Sequence, residues 1–143
     1  VVLWSPDSKK VATFQQDERQ VGEMYLVETK AGHPVLKAWK YPLPGDDVVA
    51  MLHRVVIDTD TGAVVRFQMA PDFHRAMLGD DFDVDDMIWS ADAARLAFVS
   101  TGRDHKTATV RVADAATGAV RTVFEESEDT HFESTAGWRV LWD

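Results

Sequence analysis

The 143-residue chain has no cysteine, which excludes disulfides, thiolate metal sites and a cysteine nucleophile. It has no basic excess either. Fifteen Lys and Arg stand against 24 Asp and Glu, for a net charge of −9, so neither nucleic acid nor an anionic membrane is expected as its main partner. No apolar run approaches the length of a membrane span. No Gly-x-Ser-x-Gly occurs, so the strand-turn-helix elbow that carries a hydrolase serine is missing, and the chain by itself is expected to catalyse nothing. There is no initial Met and no signal sequence. The chain opens on Val1-Val2-Leu3-Trp4, as expected of a piece of a longer protein whose targeting segment lies elsewhere.

What is present is repetition. Leu3-Trp4-Ser5-Pro6-Asp7-Ser8 is matched by Ile88-Trp89-Ser90-Ala91-Asp92-Ala93, each followed by an apolar strand. Val56-Ile57-Asp58-Thr59-Asp60-Thr61-Gly62 is matched by Val112-Ala113-Asp114-Ala115-Ala116-Thr117-Gly118. A third apolar-Trp pair, Leu141-Trp142, closes the sequence. Trp89 and Trp142 are 53 residues apart and Asp58 and Asp114 are 56 apart, which fits one repeating unit. Trp4 and Trp89 are 85 apart, too far for one unit, so the first unit carries an insertion between Phe14 and Asp58.

Each unit reads as strands. Val11–Gln15, Glu23–Glu28, Leu52–Asp58 and Ala63–Met69 form a first set, and Asp86–Ser90, Arg95–Ser100, Thr107–Ala113 and Ala119–Glu125 a second. Thr107–Ala113 is rich in β-branched residues and alternates in polarity. Asp-x-x-Thr-Gly is a hairpin turn, in which Asp bonds forward to the backbone and Gly takes a positive φ. Four antiparallel strands per unit of about fifty residues make the fold class all-β, a β-propeller fragment of two to three four-stranded blades. A sandwich is the runner-up. The recurring indole favours blades, because each blade buries one large aromatic against its neighbour. Trp4, Trp89, Trp138 and Trp142 are therefore assigned to blade packing. Residues 1–70 form a first blade with an inserted arm at about 18–50, residues 83–127 a second, and residues 129–143 start a third.

Within the arm, Pro34, Pro42 and Pro44 cannot donate to a ladder, so residues 34–45 are not a central strand. Trp39, Tyr41 and Pro42 either fold back onto their own blade or contact another subunit. Other candidates are weaker. Asp81, Asp83 and Asp85 alternate on one face, but the Gly and distal Glu of a calcium loop are lacking. His33, His53, His74, His105 and His131 show no zinc spacing. Asp46-Asp47 and Glu125-Glu126 are neighbours whose side chains point apart on a strand. No metal and no cofactor is expected.

Leu3-Trp4-Ser5-Pro6-Asp7, Asp17-Glu18, Lys40-Tyr41-Pro42 with Gly45-Asp46, Val55–Asp58 with Thr61-Gly62, and Glu133–Trp138 together resemble the N-terminal propeller of the dipeptidyl peptidase IV branch of the prolyl oligopeptidase family of serine peptidases. The resemblance implies a propeller that caps a C-terminal α/β-hydrolase domain carrying a Ser-His-Asp triad. It implies peptide substrates, a homodimer with contacts around Tyr41-Pro42, and a periplasmic or secreted location. The family's amine-binding glutamate pair falls upstream of Val1, so no substrate-binding residue is carried over. Asp17-Glu18 follows the first motif and is not that pair. The alternative is a propeller-type binding module, as in Trp-Ser-Pro-Asp repeat proteins, with no peptidase attached.

Overall fold

The protein is seen in a computed structural model that describes residues 2–73, 87–131 and 141–142. Among these residues every regular element is a strand. In chain order they are β1 (Leu3–Trp4), β2 (Lys10–Asp17), β3 (Glu23–Glu28), β4 (Val35–Lys40), β5 (Met51–Asp58), β6 (Val64–Arg66), β7 (Asp72–Phe73), β8 (Met87–Trp89), β9 (Arg95–Thr101), β10 (Thr107–Asp114) and β11 (Val120–Ser127). All pairings are antiparallel. The first sheet runs β1-β2-β5-β6, with β7 added on β5. The second is the meander β8-β9-β10-β11. The fold is thus all-β and built of blade-like meanders.

The first sheet differs from its expected composition. Among the described residues Glu23–Glu28 does not join it but pairs only with Val35–Lys40, from Glu23↔Lys40 to Glu28↔Val35. The place is taken by Leu3–Trp4, which pairs with Val11 and Ala12. Two residues are enough for an edge strand because the turn that follows fixes their register. Val35–Lys40 is a strand in spite of its flanking prolines, since Pro34 and Pro42 stand outside it.

The repeated motifs fold alike, atom for atom. Ser5 N–H donates to the Lys10 carbonyl and Ser8 N–H to the Ser5 carbonyl. In the second sheet Ser90 donates to Arg95 and Ala93 to Ser90, and all four bonds are 2.9 Å. The serine hydroxyl donates to Asp7 or Asp92 at 2.6 Å and accepts the N–H of Lys10 or Arg95 at 2.9 Å. Ser8 and Ala93 both have φ of 57°, a left-handed turn position that L residues adopt at some cost. The other turns match as well. Asp58 accepts from the N–H and hydroxyl of Thr61 at 2.8 and 2.7 Å, and Asp114 from those of Thr117 at 2.8 Å each.

These bonds hold the turn aspartates below the ordinary carboxylate pKa. The main cause is the serine hydroxyl at Asp7 and Asp92, the Thr61 hydroxyl at Asp58 and the Thr117 N–H at Asp114. A carboxyl whose folded pKa is depressed lends stability above its unfolded value, here 3.8, and that stability disappears as pH falls through the folded value. The urea midpoint should therefore fall between about pH 5 and pH 2. It should fall less in the double variant Asp58→Asn/Asp114→Asn. An equal fall in both proteins would remove these turns from the explanation.

The two sheets pack face to face. Paired antiparallel residues share a face, so Leu3, Ala12, Val56 and Val65 form one face of the first sheet. Trp89, Leu96, Ala113 and Val120 form one face of the second. These faces meet in one core with Phe67 and Phe98, whose ring centroids lie 5.5 Å apart. Trp89 is buried there, and its indole N–H donates to the Leu3 carbonyl at 3.3 Å. Trp4 lies on the opposite face of the first sheet, with Val11 and Val64, and is 56% exposed. Among the described residues Trp4 therefore packs against no other sheet, unlike its counterpart Trp89. Trp142 is half-buried, with the Arg95 guanidinium 4.9 Å from its ring and its indole N–H buried without a partner. Trp138 lies outside the described residues.

Charged groups also cross the junction. Arg54 on β5 is 7% exposed and Asp72 on β7 is 11% exposed at its side chain, and they pair at 2.8 Å. Arg54 also donates to the Val99 carbonyl at 3.2 Å and lies 4.7 Å from the Phe98 ring centre. Arg111 on β10 stands 3.7 Å from the same aspartate.

Candidate functional site

The two ends of the sheets differ in kind. One end carries the matched turns at residues 5–10, 58–63, 90–95 and 114–119. At the other end the β9–β10 connection uses residues 102–106, whereas the equivalent β2–β5 connection uses residues 18–50. Residues 23–40 of that extra chain form one ribbon, β3–β4, and residues 18–22 and 41–50 form its root.

Both faces of the ribbon mix large apolar side chains with a charged pair, Glu23 and Lys40 on one and Glu28 and Lys37 on the other. One face carries Tyr25, Val27, Ala38 and Leu36, and the other Met24, Leu26, Trp39 and Val35. Leu36 is 62% exposed, Tyr41 45% and Trp39 38%. An isolated two-stranded ribbon is marginal in water. This one is held by cross-strand pairs, with Lys37–Glu28 at 2.9 Å and Lys40–Glu23 at 3.3 Å. The Tyr25 hydroxyl donates to Glu23 at 2.7 Å. That bond lowers the Glu23 pKa, and Glu23 in turn raises that of Tyr25.

The root is tighter. Val21 and Ala50 are buried. Tyr41 N–H donates to the Gly22 carbonyl at 2.9 Å, and Lys40 Nζ to the Val21 carbonyl at 3.0 Å. Pro42, half-buried, leads into a turn in which Asp46 N–H meets the Leu43 carbonyl at 3.1 Å. The Asp46 carboxylate accepts from Leu43 N–H at 2.8 Å. Gly45 takes φ of 93° there, which favours a residue without Cβ.

Among the described residues the remaining candidates do not converge on a reactive centre. Asp17 is committed to Arg19, at 2.7 and 2.9 Å, and this bond brings its pKa down to about 2. It is thus a fixed anion rather than a proton-transfer group. His105 and His131, far apart in sequence, have ring centroids 5.7 Å apart. Neither the spacing nor the composition pointed to this pair. Among the described residues no group of three or more His, Cys, Asp or Glu is placed to hold a metal. Asp81, Asp83, Asp85 and His74 lie outside the described residues. Sequence reading also missed Arg54 and Asp72. The available signal was that Arg54 shares its alternate face of β5 with the buried Leu52 and Val56.

Among solved structures, the chain is similar to a Bacteroides ovatus ATCC 8483 protein assigned as a dipeptidyl aminopeptidase IV. Identity is 21% over 91% of this chain and 17% of that one, with a TM-score of 0.75. It is also similar to Porphyromonas gingivalis dipeptidyl peptidase 4, at 14% identity over 92% of this chain and 18% of that one, with a TM-score of 0.71. The chain thus spans less than a fifth of either. No curated protein matches it. The family model of the dipeptidyl peptidase IV (DPP IV) N-terminal region matches residues 1–142, and the chain belongs to that family.

Proposed function

We propose that this chain is the non-catalytic propeller part of a dipeptidyl peptidase IV-like serine peptidase, gating and positioning peptide substrates for an α/β-hydrolase domain of the parent. The family match across residues 1–142 carries the reading. The lack of Gly-x-Ser-x-Gly in these residues supports placing the chemistry in another domain of the parent. The test is to assay the full-length gene product on Xaa-Pro chromogenic dipeptides with and without a serine-directed inhibitor. Inhibitor-sensitive cleavage is expected. Its absence would leave a propeller-type binding module.

The arm is proposed as a subunit contact of a homodimer, with Trp39, Tyr41 and Pro42 at its base. A ribbon with large exposed side chains on both faces is suited to burial between surfaces, and aromatics dominate such contacts. In the full-length protein, Leu36→Ser combined with Trp39→Ser should weaken dimerisation at least about tenfold by sedimentation velocity, with the circular dichroism of the sheets unchanged. An unaltered dimer would refute the arm's role.

A further inference from the structure

Three parts of the molecule meet at Asp46, in the turn that follows Tyr41-Pro42. Its carboxylate bonds Leu43 N–H, which closes the turn where the arm returns. The same carboxylate lies 4.0 Å from where a Cβ on Gly22 would stand, at the arm's departure. Its carbonyl accepts from Arg103 Nη1 at 2.7 Å. Arg103 belongs to the second sheet, on the short β9–β10 hairpin. That hairpin is itself held by Gly102 N–H to the Thr107 carbonyl at 2.9 Å and His105 N–H to the Gly102 carbonyl at 3.1 Å. Lys106 N–H also bonds the Asp104 carboxylate at 3.1 Å.

We infer that Arg103 is a positioning residue for the arm: by gripping the Asp46 carbonyl from the neighbouring blade, it sets the direction in which the β3–β4 ribbon leaves the first sheet. The geometry supports this in two ways. A ribbon anchored only in its own sheet can pivot about its root, and a donor from a different sheet restrains that pivot. A guanidinium bound to a backbone carbonyl also holds the chain itself, whatever side chain Asp46 carries. The proposal rests on the subunit-contact reading only for its consequence, since an arm held in one direction presents the same faces to every partner.

The experiment is hydrogen exchange with mass spectrometry on the full-length protein, comparing wild type, Arg103→Ala and Arg103→Lys. Arg103→Ala should speed exchange at residues 41–50 by about five-fold, and leave the turns at 58–63 and 114–119 unchanged. Arg103→Lys, which keeps one donor, should restore part of the protection. Unchanged exchange at residues 41–50, or a uniform rise across both sheets, would overturn the assignment. Sedimentation of the same variants separates the two claims. Faster exchange at 41–50 with weaker dimerisation supports both. Faster exchange with an unaltered dimer supports the grip and removes its consequence for the subunit contact, which the Leu36→Ser/Trp39→Ser variant tests on its own.

Discussion

Gly118→Ala should destabilise the chain by about 2–5 kcal/mol, whereas Gly62→Ala, at the matching position of the first sheet, should cost only about 1–2 kcal/mol. The two glycines have nearly the same backbone, with φ of 74° and 72°, so the left-handed penalty is common to both. Their surroundings differ. A Cβ on Gly62 would meet nothing within 4 Å. On Gly118 it would overlap the Arg66 carbonyl oxygen and stand 3.2 Å from Val65 Cγ1. The Gly118 carbonyl also accepts the Gln68 N–H at 2.8 Å, so relieving the overlap parts the sheets and weakens that bond. Backbone cannot yield as a flexible side chain can, which makes this overpacking costly. Thermal denaturation of the two variants measures the contrast, at roughly 2–4 °C per kcal/mol for a chain of this size. Equal losses would mean that the sheets do not meet at this turn.

Arg54→Met should cost about 3–5 kcal/mol, because it leaves Asp72 charged and largely buried. The remaining cation, Arg111, stands at 3.7 Å, outside direct hydrogen-bond range. The same change removes the bond to the Val99 carbonyl and the cation over Phe98. Replacing both partners is gentler, since a buried pair exchanged for apolar residues of similar volume is often neutral. Arg54→Met/Asp72→Leu should therefore recover most of the loss in urea denaturation. A double variant as unstable as the single one would show that Arg54 acts through packing alone.

The turns were the most legible part of the sequence, because their chemistry is local. Ser5 and Ser90, or Asp58 and Asp114, find their partners within five residues, so composition and spacing suffice. Strand partners are not local. Glu23–Glu28 has the β-branched and aromatic content of a sheet strand, and nothing in it names Val35–Lys40 as its only neighbour. The burial of an indole is decided farther away still. Trp4 and Trp89 occupy the same motif, but only Trp89 is turned toward the facing sheet. Gly62 and Gly118 make the same point at a turn, and the arrival of Arg66 at Gly118 cannot be read from either motif. Arg54 was obscured by its type, because arginine in a strand is by habit placed on the wet side. Asp72, which makes its burial tolerable, lies 18 residues on and reaches it across the strands.

The arm joins two strands that are paired along their whole length, from Lys10↔Asp58 to Asp17↔Met51. The ladder therefore fixes both ends of the intervening segment, and closing a longer loop between fixed ends costs only about 0.6 kcal/mol per doubling. Related chains can lengthen, shorten or rewrite this excursion while the meander beneath keeps its register. The connection between the second and third meander strands is thus a position where lineages can diverge in what they bind without first re-evolving a stable scaffold.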